Sequence, residues 1–316
     1  MPREPSDRPL DGSAPHDIVP APESGFMRQL GQTEIAMFKN LVSTEWLAEK
    51  LKSPGLAVID GSWYLPAQNR DGKAEYQKAH IPGAVHFDIE EISDHTSPLP
   101  HMMPKPEQFA RQMSELGIGD QMTLVVYDGA GLFSAPRVWW MLRVFGARDV
   151  RILDGGMPKW LSEGRPIQSG AVEREKASFT THFDAAAVAN LARVRDALTT
   201  RKALVIDARS AERFTGEEPE IRPGLRSGHM PGALNAPSAT LLDKGRLRSQ
   251  GELAQLLDGA GLDRNRPVIT SCGSGVSAAI ISLALDELGT PAEALYDGSW
   301  TEWASTPGSE IATGKA

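Results

Sequence analysis

The chain repeats itself, and this repeat limits its fold more than any other feature of the sequence. Four short segments of the first half return in the same order in the second half, each displaced by 143 to 149 residues. The paired segments are 57–60 with 204–207, 80–85 with 229–234, 124–128 with 268–272, and 153–160 with 296–303. A period of about 145 residues is too long for a solenoid, whose units run to roughly 50 residues. The repeat therefore predicts two copies of one ordinary domain.

Each half alternates short runs of apolar and β-branched residues with amphipathic stretches. The predicted elements of the second half are strands at 203–207, 233–236 and 267–271 and helices at 252–260 and 277–288, the last ended by Gly289. Such alternation favours a mostly parallel sheet with helices on both faces. We therefore expect an α/β fold in which tandem domains each form a mostly parallel sheet flanked by helices.

Composition divides the chain further. Residues 1–35 are rich in proline, lack the apolar core of a secretory signal and carry acidic residues that a mitochondrial presequence avoids, so we predict a disordered tail. The stretch 170–190 is polar and lacks a strong period, which predicts a linker. The two domains are then expected at 36–169 and 191–316.

The charge balance and the cysteine count exclude several classes of function. The net charge of −8 argues against binding to nucleic acid or to anionic membranes, and no apolar run approaches the ~18 residues that span a bilayer. The single cysteine, Cys272, excludes an intrachain disulfide and a zinc site built on several thiolates. We expect no metal and no cofactor, and a reducing, cytoplasmic location.

The chemistry of the chain is concentrated in the segment Cys272-Gly273-Ser274-Gly275-Val276-Ser277. It falls between a predicted strand and a predicted helix, and its glycines allow a tight loop with backbone N–H groups turned inward. The positive end of the following helix also favours the thiolate, which is the nucleophilic form of cysteine. A free cysteine elsewhere is often a small buried apolar residue. The strand–loop–helix context favours a nucleophile here.

In combination, the motifs resemble those of two-domain rhodaneses, and especially the branch that uses 3-mercaptopyruvate. The resemblance runs from about Phe38 to Trp303. The motifs that carry it are the Cys272 loop, His80-Ile81-Pro82-Gly83, Ser134-Ala135-Pro136-Arg137-Val138-Trp139-Trp140, Leu153-Asp154-Gly155-Gly156 and Tyr296-Asp297-Gly298-Ser299-Trp300. One departure is Ser277, where the family usually has Thr, and the hydroxyl is kept.

The resemblance implies a sulfurtransferase. Cys272 would take the sulfur of 3-mercaptopyruvate as a persulfide, release pyruvate and pass the sulfur to thioredoxin, a small thiol or cyanide. The loop amides would stabilise the sulfur anion, so Gly273, Gly275, Val276 and Ser277 are expected to bind the substrate. Asp128 aligns with Cys272 and cannot carry sulfur, so the first domain is expected to be inactive.

The resemblance also implies the substrate-binding and proton-transfer residues. Arg213 and Arg222 match the arginines that hold the carboxylate and the ketone of the donor, a task suited to the planar guanidinium. The family's Ser–His–Asp relay maps onto Ser274, His80 and Asp71, as catalytic groups beside Cys272. An equally strong alternative is that His80 is structural, because the repeat pairs it with His229. We expect His229 and Arg209, which follows Asp207, to be structural.

Three other functions compete with this interpretation. A phosphatase with a Cys-x5-Arg loop would need arginine at position 278, which is Ala278, so this class is rejected. A non-enzymatic sulfur carrier or interaction module is disfavoured by the intact Cys272 with Arg213 and Arg222. The enzymatic alternative is a thiosulfate sulfurtransferase. Family members that prefer this dianion carry basic residues inside the loop, whereas positions 273–276 are neutral here.

Overall fold

The computed structural model describes residues 38–315, so the predicted tail at 1–35 lies outside the described residues. In chain order, the elements of the first half are β1 Leu41–Val42, α1 Thr44–Lys50, β2 Leu56–Asp60, α2 Gly72–Lys78, β3 Val85–His86, α3 Pro106–Glu115, β4 Thr123–Tyr127, α4 Ala135–Val144, β5 Asp149–Leu153 and α5 Gly156–Ser162. Within residues 38–315, no helix combines the length and the apolar character needed to cross a membrane.

The second half repeats this alternation of strands and helices. Its elements are β6 Val188–Ala189, α6 Leu191–Thr200, β7 Leu204–Asp207, α7 Ala211–Thr215, β8 Leu234–Asn235, β9 Leu242–Asp243, β10 Arg246–Leu247, α8 Gln250–Gly259, β11 Val268–Ser271, α9 Ala278–Glu287, β12 Ala294–Tyr296 and α10 Ser299–Ser305. The strands and helices predicted for this half are confirmed within a few residues. Gly289 follows α9 with a left-handed φ of 77°, as expected of a glycine that ends a helix.

Each half forms its own five-stranded parallel sheet. The strand order is β1-β5-β4-β2-β3 in the first sheet and β6-β12-β11-β7-β8 in the second, so repeat-related strands take the same places. The central strands β4 and β11 are almost wholly buried because helices cover both faces. The predicted α/β fold with tandem domains is confirmed. Val188–Ala189, which the sequence analysis assigned to the linker, already pairs with β12 as the edge strand of the second sheet.

The two sheets share a hydrophobic core through helices α4 and α9. The two helices pack against each other, and their buried side chains join one apolar cluster that includes Val138 and Leu142 of α4 with Ile281 and Leu285 of α9. All ten residues of α9 are buried as a result. The loops that precede these helices follow the central strands of their sheets. The packing of α4 on α9 therefore brings the Cys272 loop against the first half of the chain.

Candidate active site

Cys272 lies directly after the central strand β11, at the carboxyl edge of the sheet where parallel α/β folds bind their ligands. Its side chain is only 2 % exposed. The backbone N–H of Cys272 donates to Ser299 Oγ over 3.2 Å, and that hydroxyl donates to Tyr296 O over 2.7 Å. The thiol is therefore held at the base of the site by the strand and by the start of α10.

The carbonyl groups of the Cys272 loop are turned outward. Cys272 O accepts from Trp300 N over 2.9 Å, and Gly273 O accepts from the N–H and the hydroxyl of Thr301. Gly275 O accepts from Arg137 Nη1 over 3.3 Å. In a trans peptide the next residue's N–H points the opposite way, so the amides of 273, 274 and 276 face away from these partners. Within the described residues, none of these three amides donates to a protein acceptor. They form an anion-binding concavity beside the thiol.

Gly275 is required by both conformation and space. Its φ of 80° lies in the left-handed region, and a Cβ there would stand 2.8 Å from Arg137 Nη1 and 3.1 Å from Asp297 O. Arg137 and Asp297 therefore occupy the side of Gly275 on which a side chain would stand. Gly275 is not among the residues that line the cavity described below, and that its backbone binds the substrate stays a prediction.

A cavity of about 280 Å³ has Cys272 at its base. Of the predicted substrate-binding loop residues, Gly273, Val276 and Ser277 line it. Both halves of the chain contribute to the cavity. Its other lining residues are Trp63, Leu65 and Phe133 from the first half and Ala208, Arg209, Ser210, Arg213, Ile221, Arg222, Ser238 and Ser274 from the second. The cavity thus combines cations, neutral loop amides and apolar side chains from the first half.

The two predicted cationic residues both reach this cavity. A Cβ on Gly273 would stand 3.3 Å from Arg213 Nη2, so the guanidinium of Arg213 lies against the loop. Arg222 Nη2 donates to Ser274 Oγ over 3.3 Å. Burial lowers the pKa of Arg222, and the neighbouring Cys272 and Glu90 act in the opposite direction. Two guanidinium groups therefore face the space beside the thiol.

Arg213 is held by a buried ion-pair network. Glu220 accepts from Arg213 Nη2 through one oxygen and from Arg209 Nη1, 2.6 Å away, through the other. Arg209 is 1 % exposed, binds Asp207 with its Nε and Nη2 and stacks over Trp300. These contacts agree with the expected structural role of Arg209. They also fix Arg213 before any substrate arrives.

The side chains near Ser274 differ from those predicted. Ser274 Oγ lies 3.0 Å from His101 Nδ1, and His101 Nε2 lies 2.9 Å from Glu90 Oε1. The hydrogen bond from His101 lowers the pKa of Glu90 to about 2, with partial burial opposing it. An ionised Glu90 can only accept, so Nε2 donates to it, and Nδ1 faces the Ser274 hydroxyl and also Ser274 O, 3.3 Å away. The chain of groups is Ser274–His101–Glu90.

The predicted relay through His80 and Asp71 is therefore wrong. His80 is fully buried, its Nδ1 contacts Tyr76 O at 2.8 Å, and its ring stacks on Tyr76. Asp71 caps helix α2 by accepting from Ala74 N. His229 repeats the arrangement of His80, since its Nδ1 contacts Phe214 O and its ring stacks on Phe214. The two repeat-related histidines are both structural.

His101 and Glu90 were not predicted from the sequence, although one feature of the sequence points to His101. His80 has a repeat mate in His229, as a residue that builds the fold should. His101 lies between β3 and α3, and the corresponding stretch of the second half, 236–249, contains no histidine. A polar residue present in only one copy of a duplicated domain is a candidate for function.

Within residues 38–315, no group of three or more His, Cys, Asp or Glu side chains is arranged to hold a metal ion.

Comparison with known proteins gives consistent results. The model of the rhodanese-like domain family matches this chain twice, at residues 43–163 and 190–306. The 3-mercaptopyruvate sulfurtransferase of Escherichia coli K12 is 48% identical over 263 residues, which covers 83% of this chain and 94% of that protein. The crystal structure of SseA, a 3-mercaptopyruvate sulfotransferase from Escherichia coli, superposes with a TM-score of 0.77 at 46% identity, covering 83% of this chain and 98% of that chain. A thiosulfate sulfurtransferase of Cricetulus griseus is 41% identical over 290 residues, covering 89% of this chain and 97% of that protein.

Proposed function

This chain belongs to the rhodanese-like domain family, and we propose that it moves the sulfur of 3-mercaptopyruvate, through a persulfide on Cys272, to a thiol acceptor. The observation that carries the proposal is the set of groups around one cavity. A nearly buried thiol, three backbone amides that face away from protein acceptors and the guanidinium groups of Arg213 and Arg222 meet there. These groups suit a donor that brings a carboxylate, a ketone and a transferable sulfur.

In the first half-reaction the Cys272 thiolate attacks the sulfur of the donor. The new S–S bond forms as the S–C bond breaks, and the electron pair of that bond leaves with carbon as the enolate of pyruvate. The proton of the donor thiol ends on the enolate carbon and gives pyruvate, so the step consumes no external acid. The amides of 273, 274 and 276 stabilise the persulfide anion that remains.

Arg213 and Arg222 hold the donor in this step. A guanidinium group binds a carboxylate through two parallel hydrogen bonds, which fixes both the position and the orientation of the donor. The anchoring of Arg213 by Glu220 supports this role, because a fixed donor group loses little entropy on binding. Positions 273–276 of the loop carry no cation of their own, and the two guanidinium groups come from outside the loop. This arrangement favours a donor whose charge lies on a carboxylate rather than on the transferred sulfur.

Ser274, His101 and Glu90 move the proton. The Ser274 hydroxyl passes a proton toward the enolate carbon, and the imidazole of His101 holds the proton taken from the donor thiol in transit. The contacts of 3.0 Å and 2.9 Å along this chain support proton transfer within hydrogen-bond reach. Glu90 keeps the imidazole in the tautomer that presents Nδ1 to the hydroxyl.

In the second half-reaction an acceptor thiol attacks the outer sulfur of the persulfide, and the Cys272 thiolate leaves. The products are an acceptor persulfide and the regenerated thiolate. Because Cys272 is only 2 % exposed, the acceptor has to extend its thiol into the cavity. Small thiols and a protruding redox-active loop such as that of thioredoxin fit this requirement. We also propose a cytoplasmic location, where such thiols are kept reduced and a lone cysteine stays free.

A comparison of sulfur donors tests the proposal. We expect kcat/KM for 3-mercaptopyruvate to exceed that for thiosulfate by about 10²-fold, if one charge-assisted contact of about 3 kcal/mol decides the difference. Arg213→Lys should raise KM for 3-mercaptopyruvate more than for thiosulfate, because only the former offers a carboxylate for bidentate binding. Arg264→Lys is the matched control, since Arg264 binds the carboxylate of Asp258 outside the cavity. Equal or faster turnover of thiosulfate by the unaltered chain would instead favour a thiosulfate sulfurtransferase.

A further inference from the structure

Arg137 is a fully buried arginine of the first half whose hydrogen bonds reach both halves of the chain. Its Nη2 donates to Asp297 Oδ1 and to His101 O, each over 2.7 Å, and its Nη1 donates to Gly275 O over 3.3 Å. Asp297 is itself only 3 % exposed. A buried ion pair is weak evidence for stability, because desolvation offsets its attraction. Its geometric role is therefore the more informative property.

The first contact orients the catalytic loop. Arg137 holds Gly275 O, which turns the peptide plane between 275 and 276 and directs the Val276 N–H to the opposite side. That amide belongs to the concavity beside Cys272. The absence of a side chain at Gly275 lets the guanidinium approach, since a Cβ there would stand 2.8 Å from Nη1. A buried cation from the first half thus helps to shape the loop of the second half.

The other contacts orient the segment that carries His101. His101 has a φ of 61°, in the left-handed region that residues with a Cβ rarely adopt. Arg137 binds the carbonyl of His101, and Asp297 Oδ2 accepts from Met103 N over 2.7 Å. The ion pair therefore holds this segment at the carbonyl of the left-handed residue and at the amide two residues later. In that conformation, Nδ1 of His101 lies 3.0 Å from Ser274 Oγ.

We propose that the Arg137–Asp297 ion pair is a positioning device that holds His101 against Ser274 and orients the Val276 amide toward Cys272. The proposal rests on the proposed sulfurtransferase function and its Ser274–His101 contact. Neither Arg137 nor Asp297 lines the cavity, so both act through other residues. The pair gives the first half a direct part in a reaction whose nucleophile lies in the second half.

The substitution Arg137→Lys tests this role. An ammonium group can keep the ion pair with Asp297. It cannot replace the planar set of guanidinium N–H groups that donates to His101, Asp297 and Gly275 together. In single-turnover experiments with 3-mercaptopyruvate, the rate of pyruvate release should fall by about 30-fold while the donor dissociation constant changes by less than about threefold. The binding constant is preserved because Arg213 and Arg222 are unchanged.

A matched control and a second variant exclude a merely structural role. Arg143 lies on the same helix α4 and also pairs with a carboxylate of the second half, Asp286 of α9 at 3.2 Å, but outside the cavity. Arg143→Lys should leave the single-turnover rate within about twofold. Asp297→Asn keeps the size of the side chain and should lower the rate by about tenfold. This second variant also tests the role of the ion pair if the Arg137→Lys protein does not fold.

A double-mutant cycle with Ser274→Ala separates positioning from general loosening. If Arg137 acts mainly through His101 and Ser274, the effect of Arg137→Lys should shrink from about 30-fold to about fivefold in the Ser274→Ala background. An undiminished effect there, or an equal loss in Arg143→Lys, would overturn the proposal. The pyruvate burst of the unaltered chain is measured first, since its absence would count against the proposed function itself.

Discussion

The loop after β4 and the loop after β11 share one architecture and satisfy their backbone amides in opposite ways. In the first loop, the Asp128 carboxylate accepts four N–H groups, one from Ala130 on Oδ1 and three from Phe133, Ser134 and Ala135 on Oδ2, at 2.7 to 2.9 Å. In the second loop, the residue at the same position is Cys272, and the amides of 273, 274 and 276 face away from protein acceptors. The first loop therefore carries its own anion. The second has the geometry to receive one.

This difference shows how the two copies of a duplicated domain contribute different groups to one site. With its own loop filled by Asp128, the first half contributes other groups to the site. Trp63, Leu65 and Phe133 line the cavity. His101 and Arg137 contact the Cys272 loop, and Glu90 contacts His101. The second half contains Cys272, the proposed nucleophile, and the two arginines proposed to bind the substrate. The first domain thus supplies side chains to the loop of the second, and the following substitutions each test one side of this division.

The largest effect is expected from Cys272→Ser, which makes the second loop as unable to carry sulfur as the first. A hydroxyl cannot form a stable persulfide, so turnover with every donor should fall to background. Steady-state assays with 3-mercaptopyruvate and with thiosulfate check this. Mass spectrometry after donor exposure should show the gain of one sulfur atom in the unaltered chain and no gain in the variant. Sulfur found on the variant would mean that another group carries it.

The next effect separates the two histidines of the first half. His101→Gln removes the imidazole that faces Ser274 and should lower the rate of pyruvate release by about 10²-fold. His80→Gln is the matched control, because His80 is equally buried but contacts Tyr76 rather than the loop. We expect it to lower the melting temperature while changing kcat by less than about twofold. Similar losses of kcat in both variants would argue against the relay through His101.

The positions of these two histidines in the structure show what the sequence can and cannot predict. The repeat, the strand pattern and the loop between β11 and α9 are local signals, so they predicted two parallel sheets and the position of Cys272. Arg213 and Arg222 reach the cavity as the resemblance implied. The partner of Ser274 is different, because His101 is 173 residues away in sequence and meets it only when the two halves pack. No local pattern encodes that contact.

The same limit applies at Gly275. A glycine in a nucleophile loop is expected to let the backbone approach a substrate. Here the close approach is made by Arg137, 138 residues earlier in the chain. Glycine spacing indicates that something comes close to the backbone, and the packing of the two halves decides which group it is.

Asp128→Ala tests whether the first loop is structural. Removing the carboxylate leaves four backbone N–H groups without their acceptor, which should lower the free energy of unfolding by about 2–4 kcal/mol. Because Asp128 does not line the cavity, kcat at 25 °C should change by less than about twofold. Urea unfolding and steady-state assays on the same preparation check both parts. Asp128→Asn, which retains one acceptor oxygen, should cost less stability. A large fall in kcat for a folded variant would give the first loop a direct part in the chemistry.

The smallest effect concerns Glu90, the carboxylate that the first half contributes to the relay. Its pKa is lowered from the ordinary value of 4.5 to about 2, chiefly by the hydrogen bond from His101. The stability from this contact is therefore fully present above pH 4.5 and is lost as the pH falls toward 2. Because the side chain is 57% exposed, Glu90→Gln should lower the free energy of unfolding at pH 7 by less than about 1 kcal/mol.

Unfolding in urea at several pH values between 7 and 3.5 measures this dependence. The difference between the unaltered chain and Glu90→Gln should shrink as the pH falls, since protonation removes the same charge that the substitution removes. Glu91→Gln is the matched control, because Glu91 is exposed and pairs with Lys73 outside the cavity. A difference for Glu90→Gln that stays constant over this range would mean that Glu90 gains nothing from its contact with His101. The first half would then contribute a histidine to the site without the carboxylate that orients it.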